Sequence, residues 1–298
     1  MRLPFRTHPS PYLLLMLANL FWAGNWVVGR AIRGDIPPLA LSFWRWVIAL
    51  AFILPLARPH LRRDWPQLVA GWRWLALFGF LGTATYNALA YVGLQYTTAT
   101  NGLLLNSFIP VAIVALGWLF LGKRLRPIEA IGVAISLAGV LSIVSRGDTA
   151  VLATLHLNIG DLWILISVFA WAIYTLMLPH RPMVHAMSFL AAIAIFGLIE
   201  LLPAYAWELA AGRHMTLSWQ GAAAVAYTGM FPAFLGFVFW NRGVAEVGPA
   251  NAGLFIHLMP AFGILLSIVF LDERPEIYHA IGIGLIFTGI WLNTRRRA

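Results

Sequence analysis

Long apolar runs alternate with short polar clusters along the whole chain. Ten of the runs, near 11-31, 38-57, 74-94, 99-121, 127-145, 159-178, 186-207, 219-241, 249-271 and 277-294, approach the length of a membrane crossing. A hydrocarbon layer of about 30 Å takes roughly 20 apolar residues in a helix. The expected fold class is therefore an all-α polytopic membrane protein with ten transmembrane helices, which leaves little chain for a soluble domain. The first run follows Arg2 and Arg6, as the core of a signal peptide would. Its length of about twenty residues, its Asn19, Trp22 and Asn25, and the lack of a small-residue cleavage site read as a retained first helix.

The pattern repeats. Residues 93-141 overlie 243-291 without a gap at an offset of 150, with identical residues at twelve of 49 positions. Hydrophobicity supplies many such matches, but not Asn101/Asn251, Pro110/Pro260 or Arg124/Arg274. In the first helices Leu20-Phe21-Trp22-Ala23 aligns with Phe169-Ala170-Trp171-Ala172 near an offset of 149. The chain reads as a duplication, with one repeat over 1-146 and the second over 157-298. Five helices per repeat, an odd number, insert the second copy upside down, and inverted repeats place transported substrates at their interface.

Composition and charge refine this picture. Apolar residues make up 61% and charged residues 10% of the chain, and the mean hydropathy is +0.80, far from a soluble composition. The net charge of +9 comes from Arg residues at helix ends, which orient a membrane protein rather than form a basic face for nucleic acid. With a cytoplasmic N-terminus, fourteen Lys and Arg residues fall inside and five outside, so the positive-inside bias puts both termini in the cytoplasm. The duplicated turn agrees: Gly122-Lys123-Arg124-Leu125-Arg126 is basic, Asp272-Glu273-Arg274-Pro275-Glu276 acidic. The absence of cysteine rules out disulfides and thiolate metal sites.

Candidate binding residues follow from helical spacing. Asn19, Trp22, Asn25 and Trp26 share one face of helix 1, and Trp163, Ser167, Trp171 and Tyr174 one face of helix 6. Lipid-facing stripes are aliphatic, so these stripes face inward, although Trp163 also suits the interfacial aromatic belt. Thr83, Tyr86 and Asn87 in helix 3, and Asn101, Asn106, Ser107, Asn251 and His257 in helices 4 and 9, complete the candidate set. Amides and hydroxyls can hold the charged groups of a zwitterion and aromatic rings its side chain, or they can bond helix to helix. His257 is either a proton carrier or ligand, or a neutral ring bonded to a carbonyl. Arg45, inside helix 2, costs about 2.5-3.5 kcal/mol on insertion scales, so it snorkels, pairs with Glu200 or meets a substrate carboxylate. Pro110 and Pro260, mid-helix and in register, are candidate hinges that free the carbonyls of Asn106 and Ile256. Gly132, Gly139, Gly282 and Gly289 permit close helix contact, for a dimer or for internal packing; the oligomeric state stays open, with a monomer adequate. No metalloprotease, nucleophile-elbow or P-loop motif is present, so neither an enzyme nor a cofactor or metal is expected.

Trp22-Ala23-Gly24-Asn25, Phe43-Trp44-Arg45, Trp240-Asn241-Arg242-Gly243, Pro260, Asp272-Glu273-Arg274, Gly282 and Gly289 resemble the drug/metabolite transporter superfamily, specifically its ten-helix members built from two EamA repeats. Lys123 departs from the family's usual Glu. The resemblance implies a small-metabolite carrier of the bacterial inner membrane, working by alternating access through a central cavity. The aromatic-rich helices are most similar to exporters of aromatic and other neutral amino acids of the YddG type; sugar, nucleotide-sugar and drug exporters are the alternative. Small multidrug carriers of the superfamily use a Glu in the first helix, which this chain lacks. Because the chain is free of cysteine, Lys123→Cys and Glu273→Cys report topology directly. Each should react with an impermeant maleimide from opposite sides of the membrane, and reaction of both from one side contradicts inversion.

Overall fold

The computed structural model describes residues 9–123, 126–145, 147–148, 158–216, 218–271 and 276–294. Arg124, Leu125 and the acidic turn Asp272–Pro275 lie outside them, as do Arg2, Arg6, Arg146 and Arg295 to Arg297. Among the described residues, ten helices are long and apolar enough to cross a membrane: α1 (Pro11–Ala31), α2 (Pro38–Ala70), α3 (Trp72–Tyr96), α4 (Asn101–Leu121), α5 (Pro127–Val144), α6 (Ile159–His180), α7 (Ala186–Ala210), α8 (Trp219–Val247), α9 (Pro249–Leu266) and α10 (Ile277–Thr294). The described residues contain no strand. Several helices begin on proline, which already has a helical φ and no N–H to lose, as at Pro11, Pro38 and Pro127. Thr98, Asn158 and Ser218 cap others by accepting from Asn101 N, Gly160 N and Gly221 N.

The start of α2 is capped from outside its own sequence. Glu208, near the end of α7, accepts from the backbone N–H groups of Leu39 at 3.2 Å and Ala40 at 2.7 Å. A buried carboxylate there meets the positive end of the helix dipole. At its other end α2 outruns the expected boundary of residue 57 by 13 residues, through Pro59 and Pro66, with Pro55 already inside the expected run. Each proline forfeits only one helical bond, and packing offsets the loss. Leu68 is buried, Asp64 Oδ2 accepts from His185 N at 2.9 Å, and the His60 and His185 rings stack 3.5 Å apart.

The repeats interleave. The helix α2 packs along α7 and α5 along α10, while α1 lies on α8 and α9 as α6 lies on α3 and α4. The α5–α10 contact shows the relation between copies. Gly132 faces Gly289 and Gly139 faces Gly282, although in sequence Gly132 corresponds to Gly282 and Gly139 to Gly289. Equivalent helices therefore run antiparallel, and the repeats are inverted. These glycines are consumed by internal packing. A Cβ on Gly139 would lie 2.6 Å from the Gly282 carbonyl oxygen, and one on Gly282 2.7 Å from that of Gly139.

The irregular segments are duplicated as well. A π-helical stretch interrupts α3 at Gly79–Thr85 and α8 at Gly229–Leu235, again 150 residues apart. Pro232 explains the second, since it withdraws an N–H from the α-helical pattern. In the first, Gly79 lies so close to α7 that a Cβ would be 2.8 Å from Gly197 N, and packing selects the wider turn. In α4 the bonding tightens to a turn at Ser107 and Phe108, where Phe108 N donates to Leu105 O at 3.0 Å, just ahead of Pro110. In α9 it tightens to a 3-10 turn at Phe255–His257, just ahead of Pro260.

The α5–α10 contact gives a direct test. Gly139→Ala should lose about 1–3 kcal/mol of stability through overpacking against backbone, read as a lower unfolding temperature in detergent. Gly284→Ala on the same pair of helices meets nothing within 4 Å and should keep or raise it, because alanine is the better helix former.

Candidate functional site

Two hydrogen bonds, one per repeat, frame the centre of the bundle. In the first repeat the Tyr91 hydroxyl donates to Asn25 Oδ1 at 2.5 Å, joining α3 to α1. In the second the Tyr174 hydroxyl donates to Asn241 Oδ1 at 2.8 Å, joining α6 to α8. Asn25 and Tyr174 are equivalent at an offset of 149, Tyr91 and Asn241 at 150. The same bond is made twice with its residues exchanged, on opposite sides of the midplane. Below, the face on which α1 begins is the N-terminal face. Tyr174–Asn241 lies toward it and Tyr91–Asn25 toward the opposite face.

Among the described residues, only the first of these pairs is hydrogen-bonded to a buried cation. Arg45 is fully buried, and its Nη1 donates to Tyr91 Oη at 2.7 Å and to Asn25 Oδ1 at 3.2 Å. Asn25 Nδ2 in turn donates to Asn87 Oδ1 at 3.5 Å. The guanidinium lies 5.8 Å from the Tyr91 ring centre. Arg45 forms no ion pair with any described residue, so pairing with Glu200 does not occur, and complete burial rules out snorkelling. Its Nε and Nη2 are buried without a partner. These two N–H groups form the side-on fork that matches the two oxygens of a carboxylate.

Between the two ends the interior is aromatic. Trp171 packs against Trp22 at 5.1 Å, Tyr86 at 4.7 Å, Tyr174 at 5.0 Å and Phe237 at 5.3 Å between ring centres. Trp240 lies 5.2 Å from Trp22, and Trp46 4.8 Å from Phe237. The Trp22 indole N–H donates to the Pro232 carbonyl in the π segment of α8 at 3.0 Å. Those of Trp171 and Trp240 are buried with no partner, whereas buried indoles ordinarily find one. Tyr86 donates to Asn106 Oδ1 at 2.9 Å and so ties α3 to α4.

The structure thus brings Trp22, Asn25, Arg45, Tyr86, Asn87, Asn106, Trp171 and Tyr174 into one buried region. Other expected residues lie elsewhere. Asn19 donates to Leu15 O of its own helix, Thr83 faces Gly197 of α7, and Ser107 donates to Leu103 O. Trp163 is half-buried near the start of α6, at interfacial depth. Asn101 and Asn251 mark the starts of α4 and α9 at opposite faces, with Asn251 bonded to Val247 O. Helical spacing missed Tyr91, Trp240 and Asn241, yet the reciprocal Asn/Tyr exchange at offsets 149 and 150 is a signal that contains two of them.

The two faces differ. On the N-terminal face a cavity of about 360 Å³ opens between α4, α6 and the α8–α9 junction, lined by Ile113, Lys123, Glu129, Leu176, Val247 and Asn251 among others. On the opposite face the corresponding ends are joined. Thr97 Oγ1 donates to Asp161 Oδ1 at 2.6 Å, Arg30 Nη1 donates to Leu94 O at 2.9 Å, and Trp26 packs so closely on Gly102 that a Cβ would lie 2.6 Å from its ring.

His257 serves the breaks in α4 and α9. Its Nε2 is 2.9 Å from the Ser107 carbonyl oxygen and its Nδ1 2.6 Å from Ser136 Oγ. A carbonyl oxygen can only accept, so Nε2 donates to Ser107 O, while the Ser136 hydroxyl, which also donates to Val133 O at 3.1 Å, can take either role at Nδ1. The freed carbonyl that gains a side-chain partner is thus that of Ser107, one residue past the expected Asn106. His257→Ala should cost about 1–3 kcal/mol, the penalty of unpaired buried groups, and should leave the pH profile of transport unchanged. A lost pH dependence with normal stability would make the ring a proton carrier instead.

Comparison with known proteins gives the same reading of the whole chain. The model of the EamA-like transporter family matches twice, over residues 9–145 and 158–295. An uncharacterized transporter of Archaeoglobus fulgidus is 26% identical over 294 residues, covering 96% of this chain and 98% of its own. A probable terminal-alkyne amino-acid exporter of Streptantibioticus cattleyicolor is 28% identical over 288 residues, covering 95% and 92%. A solved crystal structure superposes with a TM-score of 0.73 at 20% identity, covering 96% of each chain. With both repeats matched and ten helices in place, this chain belongs to the EamA-like transporter family: it is a multi-pass membrane transporter.

Proposed function

We propose that this transporter exports neutral amino acids with aromatic or other apolar side chains across the bacterial plasma membrane, with both termini in the cytoplasm. The observation that carries the proposal is the free Nε–Nη2 fork of Arg45, buried with no carboxylate from the protein. A substrate carboxylate on that fork neutralises a charge the membrane otherwise penalises, in the strong bidentate geometry. The Trp22, Trp171 and Trp240 rings then meet the side chain, and the unpaired indole N–H groups add donors. Asn87 and Tyr86 offer oxygens for the ammonium group. The Tyr174–Asn241 pair has no arginine hydrogen-bonded to it among the described residues, which favours one orientation of the zwitterion. The printed name of the Streptantibioticus relative, an amino-acid exporter, supports the same substrate class.

In this reading the cavity on the N-terminal face is the cytoplasmic entrance, and the joined ends of α1, α3, α4 and α6 are the closed outer gate. Alternating access exchanges the two faces by the inverted symmetry of the repeats, 1-146 and 157-298, with Pro110 and Pro260 as hinges. No catalytic step, cofactor or metal is involved, and a monomer suffices.

Proteoliposome uptake of labelled phenylalanine, threonine and methionine tests the substrate class. Arg45→Gln should raise the KM for phenylalanine about tenfold or more, since a hydrogen bond to a charged group is worth about 1.5–3 kcal/mol. Inhibition by phenethylamine, which lacks the carboxylate, should not change. Equal loss for both ligands removes Arg45 from carboxylate recognition, and no uptake of any of the three amino acids overturns the class.

A further inference from the structure

A second cavity lies away from the aromatic centre, on the flank of the bundle between α3, α6 and α7. It has a volume of about 500 Å³, and its wall includes Phe80, Leu81, Phe169, Ile173, Leu201 and Glu200. That volume falls within the range of ligand pockets, about 300–1,000 Å³. The cavity lies within the membrane-spanning parts of three helices and opens sideways, where the surrounding medium is hydrocarbon. Phe80, Ile166 and Phe169 are exposed on its rim.

Its one ionisable side chain is Glu200. The residue is fifteenth of the 25 in α7 and hence close to mid-membrane. Its Oε2 is buried with no hydrogen-bond partner. The side chains that reach the cavity from α2, α3 and α6 include no titratable group. Along α7, Glu208 is occupied by the backbone of Leu39 and Ala40, and the Tyr205 hydroxyl accepts from Trp44. Arg45 of α2 is turned to α1 and α3, and no described cation pairs with Glu200.

An intramembrane carboxylate without a partner is a functional feature by default. A water-soluble ion cannot approach through lipid, so the ligand must be apolar enough to enter from the bilayer. When it is ionised, a carboxylate in an apolar wall selects a cation, because only a counter-charge offsets the cost of keeping it charged there. We propose that the flank cavity is a binding site, separate from the central one, for a hydrophobic ammonium cation that arrives through the membrane and pairs with Glu200.

Tetrabutylammonium, whose charge does not change with pH, is a suitable probe for isothermal calorimetry on the purified full-length protein in detergent. Binding should occur with one site per chain and strengthen at least tenfold from pH 5.5 to 8.5, because pairing requires the ionised carboxylate. Glu200→Gln should weaken it at least tenfold at pH 8.5. Ala84→Phe, which fills the cavity and retains the carboxylate, should weaken it as well, and it decides the matter if Glu200→Gln fails to fold. Phenylalanine should not displace the probe. The proposal is overturned by undetectable binding to the unmodified protein, by binding independent of pH, by wild-type affinity in either variant, or by displacement with phenylalanine. Displacement by phenylalanine would place the probe in the central site and leave the amino-acid reading standing, and the other outcomes do not bear on amino-acid uptake, so this site and the central reading fail separately.

Discussion

A guanidinium held inside a hydrocarbon layer must be surrounded by oxygen atoms, and much of the first repeat is arranged to supply them to Arg45. Asn25 comes from α1 and Tyr91 from α3, with Asn87 of α3 holding Asn25 from behind, so two helices converge on the charged group that α2 carries. Gly24 has no side chain because the hydroxyl of Tyr227 occupies that space on its way to Phe21 O. Neutral oxygens satisfy part of the guanidinium and leave its side-on fork free. A carboxylate from the protein would complete the shell and make the arginine a structural element. Leaving it incomplete keeps a charged group available at the cost of burial.

The duplicated scaffold makes this asymmetry visible. Backbone features are copied faithfully: the π segments, the breaks ahead of Pro110 and Pro260, and the glycine contacts of α5 and α10. Side-chain chemistry is copied selectively. The Tyr–Asn bond is retained in both halves with its members exchanged, while the residues corresponding to Arg45 in α7, Ala194 and Ile195, carry no charge. An inverted repeat with identical chemistry would bind a ligand equally well in two opposite orientations. Among the described residues, a buried arginine hydrogen-bonded to the pair at one end alone makes the two ends chemically unequal without disturbing the packing that relates the halves.

The architecture was legible in the sequence because the membrane leaves few choices. Runs of about twenty apolar residues have to be helices, and the boundaries of α1 and α10 followed directly. The tail of α2 was not legible, since three prolines and several charges over residues 55–66 resemble a loop until Asp64, Leu68 and the His60–His185 stack are seen. Helical periodicity found the inward faces of α1 and α6 but could not separate side chains that meet at the centre, such as Trp22 and Trp171, from those bonded to their own helix, such as Asn19 and Ser107. That difference depends on which helix lies opposite. Tyr91 is unremarkable in its own repeat, and Asn241 stands out there only as part of the Trp240–Gly243 motif; their role as partners shows only when the two copies are compared.

The interleaving of the repeats also bears on how the chain assembles during synthesis. The glycine face of α5 meets its partner only when α10, made more than 130 residues after α5 begins, has entered the membrane. The N-terminus of α2 waits for Glu208, more than 160 residues downstream. The first five helices therefore leave the ribosome as a half-finished set of surfaces, with helix ends uncapped and small-residue grooves open to lipid. Stability arrives late and together, so a chain truncated before α10 would present the cell's membrane quality control with grooves that belong to an absent helix.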